Sequence, residues 1–144
     1  PNDHSGMPLT PCWKSHQFNV EYKEDNRPTL HLTCEVRSSD ALFGLPSNYQ
    51  QFAFYLVAIA KLVDMDVGLL CCNLNDVHIY SNQVDYVEEL LDRDYFDDED
   101  VKISINKELN TLDDLLSLQW EDIELSDFKV NKKPFVTPKP SMAV

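Results

Sequence analysis

The most constraining feature of this chain is an apolar run in its middle, FAFYLVAIA, which occupies residues 52 to 60. From Leu45-Pro46 to Asp64 no further helix breaker occurs, and a proline in the first turn is typical of a helix start. Because the run is apolar on every face, it predicts a helix that is buried nearly all round. The run is too short to cross a bilayer, which needs about 20 residues. Other parts of the chain must therefore cover it.

Segments rich in β-forming residues lie on both sides of this helix and can supply that cover. WKSHQFNVEY (13–22) and TLHLTCEVR (29–37) flank the charged turn KEDNRP, which predicts an antiparallel hairpin. In the second segment apolar and polar residues alternate, so one face should be buried. Further strands or short helices are predicted in VGLLCCNLNDVHIY, QVDYVEELLDRDYF, VKISI, TLDDLLSL (capped by Thr111) and WEDIELSDF. The proline-rich end, NKKPFVTPKPSMAV, predicts a mobile or docked tail.

Length, charge and cysteine content restrict the kind of protein further. With 144 residues, 43% of them hydrophobic, the chain is expected to form a single domain over residues 1–144. Its net charge of -13 argues against nucleic acid or an anionic membrane as the main partner, because both require a basic surface. The four cysteines form no CxxC pair, which argues against a disulfide framework or a metal site and favours the cytoplasm.

One of the cysteines, Cys12, stands directly after Pro11 at the mouth of the first predicted strand. It is either a small buried side chain or a nucleophile. Arg37, at the end of the partner strand, would favour the thiolate that a nucleophilic cysteine requires.

Two polar clusters follow at predicted turns. RSSDALFGLPSN (37–48) combines a cation, hydroxyls and a carboxylate before a glycine turn, and is either a plain turn with a helix start or part of a binding site. The amide of Asn48 offers one donor and one acceptor, which matches the N3–H and O4 of uracil. NDVHIYSN places His78 and Tyr80 on one face of a strand, where each is either a core residue or a ligand-binding residue.

Taken in order, these motifs resemble the thymidylate synthase family along its C-terminal half. TPCW followed by QF, RSSDALFGLPSN, NDVHIYSN, WEDIEL and the terminal MAV correspond to the family patterns P-C-H, Q-R-S-x-D-x-x-L-G-L-P-F-N, G-D-x-H-x-Y and a short hydrophobic tail. The resemblance implies the family's α+β fold, a twisted, mainly antiparallel sheet packed against a long buried helix. The chain departs from the family at four positions, where His, Gln, Phe and Gly are replaced by Trp13, Val36, Ser47 and Asn75.

The resemblance also implies roles for individual residues. Cys12 matches the nucleophile that attacks C6 of the pyrimidine of dUMP. The positions matched to dUMP contacts are Arg37, Ser38, Ser39, Asp40, Asn48, His78 and Tyr80. The positions matched to folate contacts are Asp40, Ala143 and Val144. Within these sets, Arg37 and Ser38 match phosphate-binding groups, Asn48 the base-reading residue, and His78 with Tyr80 the pair that holds the deoxyribose hydroxyl.

The implied reaction transfers a one-carbon unit and a hydride from methylenetetrahydrofolate to dUMP, with no metal. Relatives that use dCMP carry Asp where this chain has Asn48, so uracil is favoured. The family's N-terminal half is absent from the sequence, so we expect the C-terminal part of a catalytic domain, inactive alone. Its expected partners are a second copy in a homodimer and a separate N-terminal half. Two alternatives stay open: a deoxyuridylate hydroxymethylase, in which Trp13 and Ser47 mark the change, and a non-catalytic nucleotide-binding relative.

Overall fold

A computed structural model describes residues 10–24, 26–94, 101–126, 129 and 132–141. The strands and helices in chain order are β1 (Trp13–Glu21), β2 (Thr29–Val36), β3 (Ser39–Asp40), α1 (Gly44–Leu62), β4 (Asp66–Leu74), β5 (Val77–His78), α2 (Val84–Leu91), β6 (Lys102–Ile105), α3 (Leu112–Leu116) and β7 (Ile123–Ser126). Short 3₁₀ turns occupy Ser81–Gln83 and Trp120–Asp122. No helix in these described ranges is both long and apolar enough to cross a membrane.

The main sheet has three strands in the order β1-β2-β4. β1 and β2 form the predicted antiparallel hairpin, whereas β4 runs parallel to β2. The parallel pairing follows from α1, which carries the chain back to the end of the sheet at which β2 began. Two smaller pairs complete the strands, β3 with β5 in parallel and β6 with β7 in antiparallel orientation.

A short irregularity interrupts the β2–β4 ladder at Gly68. The register shifts between Leu30 and Leu32, and the Nδ1 atom of His31 accepts a hydrogen bond from the backbone N–H of Leu69 at 2.9 Å. A Cβ atom at position 68 would lie 2.7 Å from both His31 Nδ1 and the carbonyl oxygen of Leu30. Glycine is therefore required sterically, because the side chain of His31 enters the ladder at this point.

The core lies between β2 and α1, as the apolar patterns predict. The apolar face of β2 is fully buried, and α1 contributes Phe52, Leu56 and Ala60 to the same cluster. Every residue of α1 from Phe52 to Leu62 is buried or half-buried, whereas Tyr49, Gln50 and Gln51 are exposed. The prediction of a nearly all-round buried helix thus holds for the apolar run, and the first turns of α1 lie at the surface.

β6, the segment after it and α3 pack against α1 in a second cluster. Ile105 and Leu109 form a second buried cluster with Ala58 of α1. Thr111 caps α3 as predicted, since its Oγ1 atom accepts a hydrogen bond from the N–H of Asp114 at 3.2 Å. The α+β class is confirmed. Two of the four strand pairings are parallel, so the described sheets are less dominated by antiparallel pairs than expected.

Candidate active site

The short β3–β5 pair brings two of the predicted motifs side by side. Ser39 lies opposite Val77 and Asp40 opposite His78. The pair is extended by hydrogen bonds from the N–H of Ser39 to the carbonyl of Asp76 at 3.1 Å and from the N–H of Ala41 to the carbonyl of His78 at 2.9 Å. The two motifs RSSDALFG and NDVHIYSN, both of which contain residues matched to dUMP contacts, are therefore adjacent in the structure.

Arg37 connects this region to the segment that carries Cys12. Its backbone N–H donates to the carbonyl of Cys12 at 2.9 Å. Its guanidinium donates from Nη2 to the carbonyl of Thr10 at 2.6 Å and from Nε to the carbonyl of Pro11 at 3.2 Å. Three hydrogen bonds from one residue therefore fix the backbone on both sides of the thiol. Cys12 itself is half-buried and packs against the main core.

Two further thiols, Cys34 and Cys72, belong to the same core as Cys12. Cys34 and Cys72 are register partners on β2 and β4. Burial, together with the neighbouring Cys72, raises the pKa of the Cys34 thiol to about 11, and burial also raises the pKa of Cys72. Thiols whose pKa is raised in this way are poor nucleophiles. Cys71 is exposed.

Asp76, a member of the NDVHIYSN motif without an assigned role, links the two motifs. Its carboxylate accepts a hydrogen bond from the hydroxyl of Ser38 at 3.4 Å, and its carbonyl accepts from the N–H of Ser39. The residue has a φ of 44°, in the left-handed region that aspartate tolerates better than most residues. The sequence signal for this linking role is the position of Asp76 in the motif that matches the family pattern G-D-x-H-x-Y.

The surroundings of His78 determine which of its ring nitrogens carries the proton. Nδ1 lies 2.8 Å from the carbonyl of Asp76, and because a carbonyl can only accept, Nδ1 carries the proton. In the neutral ring Nε2 is then the acceptor. The ring of Tyr80 stands edge-on to it at a centroid distance of 4.9 Å. The two rings are therefore in contact, although Tyr80 lies beyond the end of β5 and not, as was predicted, on the same strand as His78.

Asp40 is held by hydrogen bonds to both of its carboxylate oxygens. Oδ1 accepts from the N–H groups of Leu42 and Phe43 at 3.0 and 3.4 Å, and Oδ2 accepts from Nε2 of Gln83 at 3.4 Å. Gln83 is only 1% exposed and was not among the predicted site residues. No pattern in the sequence marks it, because a lone glutamine at a helix start is usually at the surface.

The remaining predicted site residues are less connected. Ser39 is 1% exposed, and its hydroxyl finds no partner in the described part of the chain. Asn48 is half-buried in the first turns of α1. Within the described residues, no hydrogen bond, ion pair or ring contact joins Cys12 directly to Asn48 or to the His78–Tyr80 pair. Ala143 and Val144 lie outside the described residues.

Three positions that depart from the family pattern have structural contacts of their own. The indole of Trp13 meets the ring of Phe52 edge-on at 5.0 Å, and its Nε1–H donates to the carbonyl of Ser15 at 3.0 Å. Ser47 donates to the carbonyl of Phe43 at 3.0 Å, and Asn75 donates from Nδ2 to the carbonyl of Val36 at 3.3 Å. Each substituted side chain is thus part of the local packing or hydrogen bonding.

The fold and the site define the class of protein. It is an α+β protein in which Arg37 binds the backbone at a half-buried cysteine, and the strand that follows Arg37 pairs with the segment that carries His78. No group of three or more potential metal ligands occurs in the ranges that the structure describes.

Comparison with known proteins identifies the family. The thymidylate synthase family model matches residues 1–139. The chain is 37% identical over 129 residues to thymidylate synthase of Rhizobium rhizogenes, covering 87% of this chain and 40% of that protein. It is 30% identical over 146 residues to thymidylate synthase of Saccharomyces cerevisiae, covering 99% of this chain and 46% of that protein. The chain belongs to the thymidylate synthase family.

The structural comparison agrees with this assignment. The thermostable thymidylate synthase A from Bacillus subtilis superposes with a TM-score of 0.74 at 27% identity, over 90% of this chain and 43% of that chain. The chain thus spans less than half the length of these relatives.

Proposed function

We propose that this chain is the dUMP-binding, cysteine-bearing part of a thymidylate synthase that converts dUMP to dTMP. The observation that carries the proposal is the attachment of the Cys12 segment to Arg37 by three hydrogen bonds. A nucleophile must be held in a fixed position, and hydrogen bonds from Arg37 to the carbonyls of Thr10, Pro11 and Cys12 hold the backbone that carries the thiol.

In the proposed reaction the Cys12 thiolate adds to C6 of the pyrimidine, which makes C5 nucleophilic. C5 then forms a bond to the one-carbon unit of methylenetetrahydrofolate and loses its proton. Elimination of the folate and hydride transfer from it yield the methyl group, dihydrofolate and the free thiolate. Covalent attack is needed because C5 of uracil is otherwise unreactive.

The polar cluster supplies the proposed contacts to the nucleotide. Arg37 has five N–H donors, of which two bond to carbonyls, so others are available for a phosphate. Such a local cation is needed because the net charge of -13 repels anions at long range. Nε2 of His78, left as an acceptor, suits a hydroxyl donor such as that of deoxyribose. We assign Ser38 to the phosphate, Asn48 to the base and Tyr80 to the sugar.

The proposal extends to the folate and to other chains. Asp40 and the carboxyl end, Ala143 and Val144, are assigned to the folate side. Because the chain spans about 40% of the length of its relatives, we propose that this part alone is inactive and works with an N-terminal half. A homodimer located in the cytoplasm completes the proposal.

The test is a covalent trap followed by mass spectrometry. The longest form of the protein, with the N-terminal half supplied, is incubated with fluoro-dUMP and methylenetetrahydrofolate. We expect a ternary adduct on the peptide that contains Cys12. The adduct should be lost in Cys12→Ala and kept in Cys71→Ala, a matched control at an exposed cysteine. Absence of an adduct in a folded protein that binds dUMP would contradict the proposal.

The same material separates the two alternatives. Dihydrofolate accompanies dTMP formation but not hydroxymethylation, so its absorbance distinguishes a synthase from a deoxyuridylate hydroxymethylase. Tight dUMP binding by calorimetry without any adduct would instead favour the non-catalytic nucleotide-binding protein.

A further inference from the structure

We propose that Gln83 is a positioning residue that joins the folate-facing and sugar-facing parts of the site, an inference that rests on the proposed function. Among the described residues, Gln83 and Ser39 are the polar side chains that are fully buried, each 1% exposed. A buried amide that lacks partners would be destabilising, so its burial calls for an explanation.

The explanation lies in its two hydrogen bonds. Oε1 of Gln83 accepts from the backbone N–H of Tyr80 at 3.2 Å, while Nε2 donates to Oδ2 of Asp40 at 3.4 Å. The orientation of the amide is determined by these partners, because a backbone N–H can only donate and an ionised carboxylate can only accept. One side chain thus contacts residues assigned to two different ligands.

The contact with Gln83 matters for the orientation of Asp40 because the other carboxylate oxygen, Oδ1, is held as well. Oδ1 is already bound to the N–H groups of Leu42 and Phe43. With Oδ2 held by Gln83, the carboxylate plane cannot turn without breaking a hydrogen bond. On the other side, fixing the N–H of Tyr80 fixes the backbone from which the tyrosine ring projects toward His78. Gln83 therefore orients both groups, although it is too deeply buried to contact a ligand itself.

Only a neutral side chain with one acceptor and one donor at this length can make both bonds. Gln83→Leu removes both bonds at similar volume. Gln83→Glu keeps the acceptor for Tyr80 but places a second carboxylate against Asp40. Adding Asp40→Asn to Gln83→Glu exchanges the donor and the acceptor. The amide at position 40 then donates to the carboxylate at position 83, so the hydrogen bond is restored in the opposite direction.

The experiment measures dUMP affinity by calorimetry and thermal stability on the full chain. We expect Gln83→Leu and Gln83→Glu to weaken dUMP binding by about tenfold, the size typical of losing a buried hydrogen bond. Gln83→Glu with Asp40→Asn should bind dUMP more tightly than either single variant, because Gln83→Glu alone sets two acceptors against each other and Asp40→Asn alone sets two donors against each other. Leu109→Ala, in the second buried cluster, is the control: it should lower the melting temperature and leave dUMP affinity unchanged.

The outcomes separate this inference from the proposed function. If the wild-type chain and the longer protein both fail to bind dUMP, the proposed function is wrong and the inference falls with it. If the wild type binds and Gln83→Leu binds equally well, only the inference is overturned. If Gln83→Leu does not fold, the paired variant decides: failure of Asp40→Asn to restore dUMP affinity to Gln83→Glu overturns the inference, because a purely structural role predicts no such rescue.

Discussion

The sheet-and-helix core (β1, β2, β4 and α1) and the polar site region (β3, β5 and residues 75–83) are built in opposite ways. In the core, the buried side chains are apolar, with Leu32, Val36 and Phe52 each at most 1% exposed. In the site region, the fully buried side chains are the polar Ser39 and Gln83. The strands differ as well, since β2 has eight residues whereas β3 and β5 have two each.

This difference separates stability from orientation. Apolar burial contributes most of the free energy of folding but is non-directional. Hydrogen bonds contribute less in net terms but require defined distances and angles. The core can therefore hold the chain folded while the site region determines how Asp40, His78 and Tyr80 point. We expect substitutions in the core to change stability most and substitutions in the site region to change ligand affinity most.

Phe52→Ala should give the largest effect on stability. Phe52 is 1% exposed and contacts the indole of Trp13, so its removal leaves a cavity between α1 and the sheet. We expect a loss of about 3–5 kcal/mol in the free energy of unfolding, measured by denaturant titration. Tyr49→Ala, on an exposed turn of the same helix, should cost much less. Comparable losses at the two positions would break the proposed contrast.

Asp76→Ala tests the site region, with Asp76→Gly as its matched control. The φ of 44° at this position is unfavourable for alanine by about 1–2 kcal/mol and acceptable for glycine. Both variants also lose the hydrogen bond from Ser38. We expect Asp76→Ala to be the less stable variant by thermal melting, and both to bind dUMP more weakly. Equal stability of the two variants would mean that the backbone conformation at position 76 contributes little.

The same contrast explains what the sequence could predict. The alternation in β2 and the apolar run in α1 indicate which residues are buried, and both patterns can be read from a short stretch of sequence. These elements were therefore correctly predicted. The parallel partner of β2 and the entry of His31 into the ladder depend on residues far apart in the chain. Gln83 is the extreme case, since its partners Asp40 and Tyr80 meet only after β3 and β5 have paired. Directional contacts of this kind leave no periodic pattern.

Thr111→Ala should have a smaller effect, confined to α3. Thr111 caps the helix by accepting from the N–H of Asp114, whose carboxylate bonds back to Thr111. We expect a loss of about 1 kcal/mol in unfolding free energy, whereas Thr111→Ser, which keeps the hydroxyl, should be close to wild type. Neither variant should alter dUMP affinity, because α3 packs in the second cluster. A change in dUMP affinity would show that the two regions are coupled.

The smallest effect on global stability is expected from Glu89→Ala, which removes contacts between α2 and the carboxyl-terminal segment docked on it. The carboxylate of Glu89 accepts hydrogen bonds from the N–H groups of Val136 and Thr137, at 2.9 and 2.6 Å. Arg93 pairs with Glu89 at 3.6 Å and lies over the ring of Phe135, which stacks on Tyr86. These contacts decide between the two predicted states of the tail in favour of docking for the described residues 132–141.

The Glu89 contacts make docking dependent on pH. The hydrogen bond from the N–H of Thr137, with smaller contributions from Val136 and Arg93, lowers the pKa of Glu89 from 4.5 to about 2. A lowered pKa in the docked state means that docking is fully favoured above pH 4.5 and weakens as pH falls toward 2. The protection factor of the Thr137 amide, measured by NMR and corrected for intrinsic exchange at each pH, should fall as pH is lowered through this window and should be low at all pH values in Glu89→Ala. Glu88→Ala, at the exposed neighbouring position, should retain the wild-type profile. Unchanged protection of Thr137 in Glu89→Ala would show that the stacked ring of Phe135, rather than the carboxylate, holds the segment. The rule that hydrogen bonds determine orientation would then not extend to α2.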